Sequence, residues 1–599
     1  MRHSHLPFLK THDAVGILMI LLLFLIMLAG SGFLGSGMVN AAEGQFELRA
    51  VDETSGEAIV VRIELTRPRL IRPGSRVPSR IDRLRTIKPL TGRTATDTGF
   101  GFVIDGVEGL NLGEGPYEFR VSRGPEYRTI AGNFEIEKTS EDDTTFALPR
   151  ILDMRKDGWT SGDCLVPSSR ESLPIRMSSE DLHVAMVTGK RVTSERGIGD
   201  GSMASNVEEL RTRRERKEQP NLTDPLWIDS NVRSVAGLAF YHPEDAGENN
   251  APTANDATLD ALNALVNVAQ QRRNNQPSRQ PSEAPESDLE SDFGYSPRVA
   301  IEDPFAWAVP VYLASDQVDG CFVLGDWLRL DRPILQTMTG RPFSTGRGRT
   351  PMTLGREAEQ IYWRMLDAGF RMAPLAGCGD DPDLHPVGYN RLYVAGPSTG
   401  GSAPSNRSDD AAVNNDGAVS AVTTPQQWWD GVWQGRSFFT NGPLLLASLQ
   451  GERPGHVFRV SSAHPISLTP ELSLTVRDPV EYLEVMYNGQ VHYSAKLDEY
   501  AKSGGRIPPL SVDKSGWALI RVVTLYNGHF RAASTAPWYF EVDGEDRIST
   551  GAVQFFQKWL SEYEDHLKSN ASAALPKYAP FIRAARAFWE SRLALANSR

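Results

Sequence analysis

Six side chains spread through the middle of this 599-residue chain could do chemistry together: Asp163, His183, His242, Glu302, Asp380 and His385. Each stands beside a short apolar run, and strand ends are where α/β folds expose reactive groups. Three carboxylates and three imidazoles are donor types from which a divalent-metal centre is assembled, the cation activating water to hydrolyse an ester, amide or phosphoester. The oxygen-rich mixture suits Mn²⁺, Mg²⁺ or Ca²⁺ better than Zn²⁺. In such a centre Asp163, His242 and Asp380 would be the catalytic members, with Asp229, Glu244, Asp303 and Asp381 close by in sequence. Each imidazole also admits a structural role: His183 as a hydrogen-bonded core residue, His242 before Pro243 as the cap of a strand, His385 before Pro386 in a turn. The chain has no phosphate-binding G-x-x-x-x-G-K-S/T loop, no H-E-x-x-H and no Cys-x-x-Cys pair.

The elements that must position these groups lie in 151–395. There the apolar runs DCLV, LHVAMV, VAGLAFYH, FAWAVPVYLA with VDGCFVLG, and RMAPLAGCG recur as strands with helical stretches between them, the pattern of βα units around a parallel sheet. Two polar segments, 193–225 and 244–297, cannot be walls of such a sheet and read as loop insertions. The second carries an amphipathic helix on Leu259, Leu262, Leu265 and Val266. The opening run DGWTSGDCLV places Ser161, Gly162 and Asp163 at the end of its strand.

That opening run, GWTSGD followed by LPIRMSSEDLHVAMV, resembles the start of PHP-type amidohydrolases, in particular the CehA/McbA-like branch around carbaryl hydrolase. The resemblance implies a distorted (β/α) barrel that holds catalytic metal. In that branch the opening strand reads G-D-x-H-x-H and its two histidines bind the metal; here Leu165 and Pro167 stand in their places, and neither offers a cation a lone pair. Glu302-Asp303-Pro304-Phe305 is similar to a strand-end segment of the branch, and GCGDDPDLHPVGYNRLYV to its closing segment. Metal-active relatives read more like S-D-x-H before G-x-x-R-x-Y, whereas this chain offers Pro382 and Asp383 where a histidine is expected. Arg436, Phe438, Thr440, Asn441, Gly442 and Pro443 match the R-x-F-x-T-N-G-P run that follows the barrel in that branch.

Flanking segments read as β modules. Alternation over 45–150, punctuated by Gly, Asp and Pro, predicts an antiparallel sandwich, and VDETSGEAIVVRIEL resembles the carboxypeptidase-regulatory-like or Cna-B-like modules of exported bacterial proteins. After a Gly/Ser/Asn-rich linker at 396–420 come a helix and a second antiparallel sandwich, 421–545, and a helical tail, 550–599. The tail repeats Phe555, Trp559, Leu560 and Tyr563 at helical spacing, with a second segment after Pro576 and Pro580. Trp428, Trp429 and Trp433 offer either a sugar-stacking surface or an i, i+4 ridge buried against a sheet.

The N-terminus combines Arg2 and Lys10, an uncharged stretch at 14–39 and Val39-Asn40-Ala41, the layout of a secretory signal cleaved after Ala41. Retained, its 26 uncharged residues would form a single N-terminal membrane span. Either outcome exports the rest, to a periplasm or the cell exterior. Three cysteines exclude a disulfide-built scaffold; Cys164 and Cys378, near strand ends, are either a thiolate pair or buried hydrophobes. A net charge of −12 argues against nucleic acid as partner, and the basic run RTRRERK at 211–217 is flanked by acidic residues without interleaved aromatics.

Two functions follow. In the first, an exported PHP-like protein has lost the usual metal-dependent hydrolysis, holds no cofactor, and binds a small molecule or an envelope or matrix partner. In the second, an active hydrolase keeps Mn, Mg, Ca or Zn on a rebuilt ligand set.

Overall fold

A computed structural model describes residues 43–68, 81–84, 88–89, 96–97, 101–138, 141–167, 173–188, 226–242, 256–274, 297–325, 340–341, 351–377, 386–397, 422–477, 479–526 and 530–598. The protein is mixed α/β, dominated by strands, with a helical C-terminal end.

The N-terminal module builds two sheets over one apolar core. In its first strand, Glu43–Asp52, Phe46, Leu48 and Ala50 point inward while Gln45, Glu47 and Arg49 face water, the period of two that a half-buried strand requires. Phe134 stacks on Phe46 and Tyr117 at ring-centroid distances of 4.7 and 5.3 Å. One expectation is corrected: Glu43–Asp52 pairs in parallel with Glu141–Leu148, Gln45 opposite Glu141. Parallel neighbours need a long crossover rather than a hairpin, and here the rest of the module forms that crossover.

In the middle region Trp159–Pro167, Val184–Thr188 and Trp227–Val235 lie parallel, and so do Arg298–Ile301, Gly320–Leu324 and Ala373–Ala376. Between the two triplets, Leu238–Tyr241 runs antiparallel to both neighbours. VAGLAFYH is therefore not one strand. Ala236 and Gly237, at φ 48° and 81°, make a two-residue hairpin turn inside it. FAWAVPVYLA is corrected too: it supplies the helix Val309–Ala314, with Pro310 in the first turn where its missing N–H is harmless. A short apolar run carries no period that separates helix from strand. The helix in the second polar segment, Ala257–Asn274, buries Ala261, Leu262, Leu265 and Val268, whereas Val266 is 43% exposed on its other side.

Arg391–Ala395 lies antiparallel to the opening strand, and Ser437–Thr440 pairs with it and with Ala532–Thr535. Through Gly516–Thr524 the same sheet continues to Val480–Tyr487 and Gln490–Ala495. The C-terminal strands expected to form a separate sandwich thus extend the middle sheet, and small ladders such as Leu444–Leu449 with Pro470–Thr475 close a second apolar core over it. At one end of the sheet Ala373–Ala376 packs beside Trp159–Pro167, and Asn390 Nδ2 donates to Gly377 O (3.1 Å) and Gly325 O (3.2 Å).

Helices lock this arrangement. Pro425–Trp433 starts at Thr424, whose hydroxyl accepts the Gln427 N–H at 3.2 Å. Its Trp428 and Trp429 are buried, so the sugar-stacking surface is not formed by them; Trp429 lies on Tyr241 at 5.0 Å and Trp433 at 5.5 Å. The tail folds back as Thr550–Asn570 and Leu575–Ala594, packed on Val309–Ala314, with Trp589 Nε1 donating to Pro310 O at 3.0 Å. The second tail helix starts before Pro580, which it contains in its second turn, where the missing N–H forgoes one main-chain bond to Pro576 O. Among the described residues no helix is long and apolar enough to cross a membrane; 14–39 and 211–217 lie outside them.

Candidate functional site

The opening strand runs to Pro167, so Asp163 sits in its middle and not at its end. Asp163 is fully buried: Oδ1 accepts the Leu165 N–H at 3.1 Å and Oδ2 the Gly388 N–H at 2.9 Å. The carboxylate therefore ties the opening strand to the turn that precedes Arg391–Ala395. Leu165, at a histidine position of the resembled motif, lies in the main apolar cluster, to which Val184 and Leu238 also belong.

The other candidates are spread along the sheet. His183 precedes Val184–Thr188, at the end of the parallel strands opposite to the one where reactive groups are expected; its Nδ1 meets Ser161 Oγ at 2.9 Å. His183 O accepts from Trp227, while the His242 N–H donates to Asn231 O, so the two histidines are four residues, about 13 Å, apart along the strands. His242 ends Leu238–Tyr241 at φ 51°, edge-on to Trp429, with Nε2 at 3.7 Å from Asp229 Oδ2. Burial lowers its pKa while Asp229 opposes the shift, which leaves the imidazole neutral at pH 7. Glu302 lies at the far end of that strand, where it accepts the Ser234 hydroxyl. Among the described residues no three His, Cys, Asp or Glu side chains converge to hold a cation. Asp380, Asp381, His385, Glu244 and Cys378 lie outside them. Cys164 is buried, and burial raises its thiol pKa well above the ordinary value, reinforced by Asp163, so it is a thiol and not a thiolate.

Charges do gather elsewhere, at the seam between the N-terminal module and the middle sheet. Asp181, 2% exposed, receives Arg123 at 3.3 Å and Arg150 at 3.2 Å, and its main-chain oxygen accepts Ser161 Oγ and Arg391 Nη1 at 2.9 and 3.4 Å. Glu126, fully buried, accepts from Arg150, the Met154 N–H and the Tyr393 hydroxyl at 2.9, 2.9 and 3.1 Å. Burial works to raise the Asp181 pKa, yet Arg123 and Arg150 outweigh it and the net shift is downward. Glu126, desolvated and repelled by Asp181, is pushed up to about 7.

Between the ordinary glutamate value of 4.5 and about 7, folded Glu126 binds more protons than the unfolded chain does. Its contribution to stability is therefore full below 4.5 and declines as pH rises through about 7. Glu126→Gln is expected to flatten that decline, measured as urea-unfolding free energy over this range; an unchanged slope would contradict the assignment.

Beside the seam opens a cavity of about 210 Å³ with walls from three parts of the chain. Arg62 and Ser122, cross-strand partners, come from the N-terminal module; Arg391 from the strand after the Gly388 turn; Arg531 from the loop before Ala532–Thr535. Arg62 Nε reaches Glu180 at 2.5 Å and its Nη1 reaches Glu64. Arg391 Nε donates to Gly388 O at 2.5 Å. Arg531 is seated by the T-N-G run: Asn441 Oδ1 accepts the Ala532 N–H at 2.8 Å, Asn441 Nδ2 donates to Phe530 O at 3.0 Å, and a Cβ on Gly442 would come within 2.2 Å of Arg531 Nε.

Sequence reasoning identified G-Y-N-R and T-N-G-P only as marks of the scaffold. No sequence period announces that arginines more than 450 positions apart share a wall. It also counted a G-x-S-x-G elbow among the absent motifs, although Gly396-Pro397-Ser398-Thr399-Gly400 spells that pattern after Arg391–Ala395. A nucleophile elbow needs a helix directly after the strand, and the next described helix begins at Pro425; Ser398 itself lies outside the described residues. No protein-family model, curated protein or solved structure matches this chain.

Proposed function

We propose that this chain is an exported PHP-like barrel protein in which the usual metal-dependent hydrolysis has been given up, and that it works as a binding or scaffold protein. The observation that carries the reading is the engagement of Asp163. Both of its oxygens accept main-chain N–H groups, from Leu165 and Gly388, so the acidic residue of the opening motif serves as a strut. Leu165 packs in the apolar core where the resembled motif carries a metal ligand. The approach of Ala373–Ala376 to the opening strand supports the barrel, and the signal-like N-terminus supports export.

The test is elemental analysis of the full chain, purified in mild detergent without chelator, beside an Asp163→Ala, His242→Ala variant. Metal far below one equivalent in both, with both folded, is the expected result. Near-stoichiometric metal that falls in the variant would overturn the reading in favour of an active hydrolase of esters, amides or phosphoesters.

A further inference from the structure

We propose that the cavity between the N-terminal module and the closing strands is a binding site for a small oxyanion, a compound that presents phosphoryl or carboxylate groups. The inference deepens the binding reading above by naming the ligand chemistry, and the site shares no residue with the candidate metal set.

Charge is the first support. Among the described residues the walls carry five arginines, Arg62, Arg120, Arg391, Arg477 and Arg531, against Glu64 and Glu180, an excess of three positive charges in a chain of net charge −12. Such a local reversal of sign focuses the field on one opening and draws anions to it. Depth is the second. Arg62, Arg391 and Arg531 are 8%, 2% and 9% exposed, whereas Arg120 and Arg477 stand in solvent at the rim. Among the described residues both hydrogen-bond partners of the Arg391 guanidinium, Gly388 O and Asp181 O, are main-chain carbonyls, and no carboxylate lies within ion-pair distance of it. A guanidinium fork in a half-enclosed cavity matches the paired oxygens of a carboxylate or phosphoryl group.

Ser122 is the independent observation. The residue lines the same cavity and is 7% exposed, and its hydroxyl makes no hydrogen bond among the described residues. A buried hydroxyl without a partner is costly, and an oxyanion resting between Arg62 and Arg391 would accept its hydrogen. The site is also built, not incidental: Gly442 leaves room for Arg531, and Asn441 clamps the main chain on either side of it. A cavity of about 210 Å³ is small beside drug-sized sites, which favours a compact anion over a polymer.

The experiment is isothermal titration of the full chain in mild detergent with inorganic phosphate, pyrophosphate and citrate, with glucose as the neutral control. It is repeated on Arg531→Gln, Ser122→Ala and Arg391→Gln, with thermal melts to confirm folding. At least one anion is expected to bind saturably while glucose does not. Affinity should fall about tenfold or more in Arg531→Gln and by a smaller factor in Ser122→Ala. Preference for pyrophosphate over citrate assigns a phosphoryl ligand, and the reverse a carboxylate ligand. No saturable binding of any anion at about millimolar concentration, or binding indifferent to both Arg531→Gln and Ser122→Ala, overturns the proposal, even if Arg391→Gln fails to fold. Metal analysis of the same samples separates the two readings, since loss of the oxyanion site with low metal leaves the scaffold reading intact.

Discussion

Trp428→Ala is expected to lower the stability of the middle region by about 3–5 kcal/mol, the range for emptying a buried aromatic position. Trp428 is fully buried, stands edge-on to Trp429 at 4.8 Å, and donates Nε1–H to Thr160 O at 3.2 Å. Its ring lies against Gly162 of the opening strand so closely that a Cβ there would come within 2.2 Å of Trp428 Cζ2. The helix Pro425–Trp433 is thus keyed to the strand by one glycine and one indole. Truncation removes the indole hydrogen bond and leaves a cavity that neighbours on two rigid elements cannot close. Gly162→Val tests the same contact from the other side; overpacking should cost about 1–3 kcal/mol. Urea unfolding of the full chain reads both, and a loss below about 1 kcal/mol for Trp428→Ala would show that the helix does not lock the sheet.

The second large effect is expected at the seam. Asp181→Asn should cost about 3 kcal/mol, at the lower end for breaking a buried ion pair because Arg150 is partly exposed and keeps Glu126. Asparagine is the informative replacement: it preserves shape, and it tolerates the φ of 51° at this position, so charge is what is lost. The pH dependence has a definite sign. The folded pKa of Asp181 is lowered, so its contribution is present above the ordinary value of 3.8 and is lost as pH falls through the lower folded value. Wild-type and variant curves should therefore converge in strong acid and diverge above it. Hydrogen exchange should show where the loss is felt: faster opening of strands such as Val60–Pro68, which carries Arg62, and Gly115–Ser122, which leads directly into Arg123. Equal exchange in the two proteins would mean that the modules are held together by other contacts.

Much of the local structure was legible because it rests on short-range periods. Phe46, Leu48 and Ala50 announce a strand by alternation, and Leu262 and Leu265 announce a helix in a segment otherwise polar. Where the period is absent the reading fails: the apolar residues 305–314 look alike as helix or strand, and only Pro310 hinted at a helix start. Hairpins hide inside apolar runs for the same reason, as Ala236-Gly237 does within VAGLAFYH.

The candidate site shows the limit more sharply. Residue types alone mark Asp163, His183, His242 and Glu302 as donors, and the loss of ligand chemistry at Leu165 and Pro167 follows directly from side-chain structure. Distances between donors do not follow. Strand register places His183 and His242 at opposite levels of the sheet, and Gly388, 225 residues on, occupies the second oxygen of Asp163. The arginines around Ser122 are the converse case: each is an ordinary charged residue in sequence, and the cavity exists because the Gly388 turn, the T-N-G run and the N-terminal strands meet. Composition, short-period patterning and the chemistry of individual side chains are set locally, and those the sequence determined by itself. Which distant groups face one another depends on strand order, register and the direction of long crossovers, quantities selected by burial over the whole chain, and only the tertiary structure decided them.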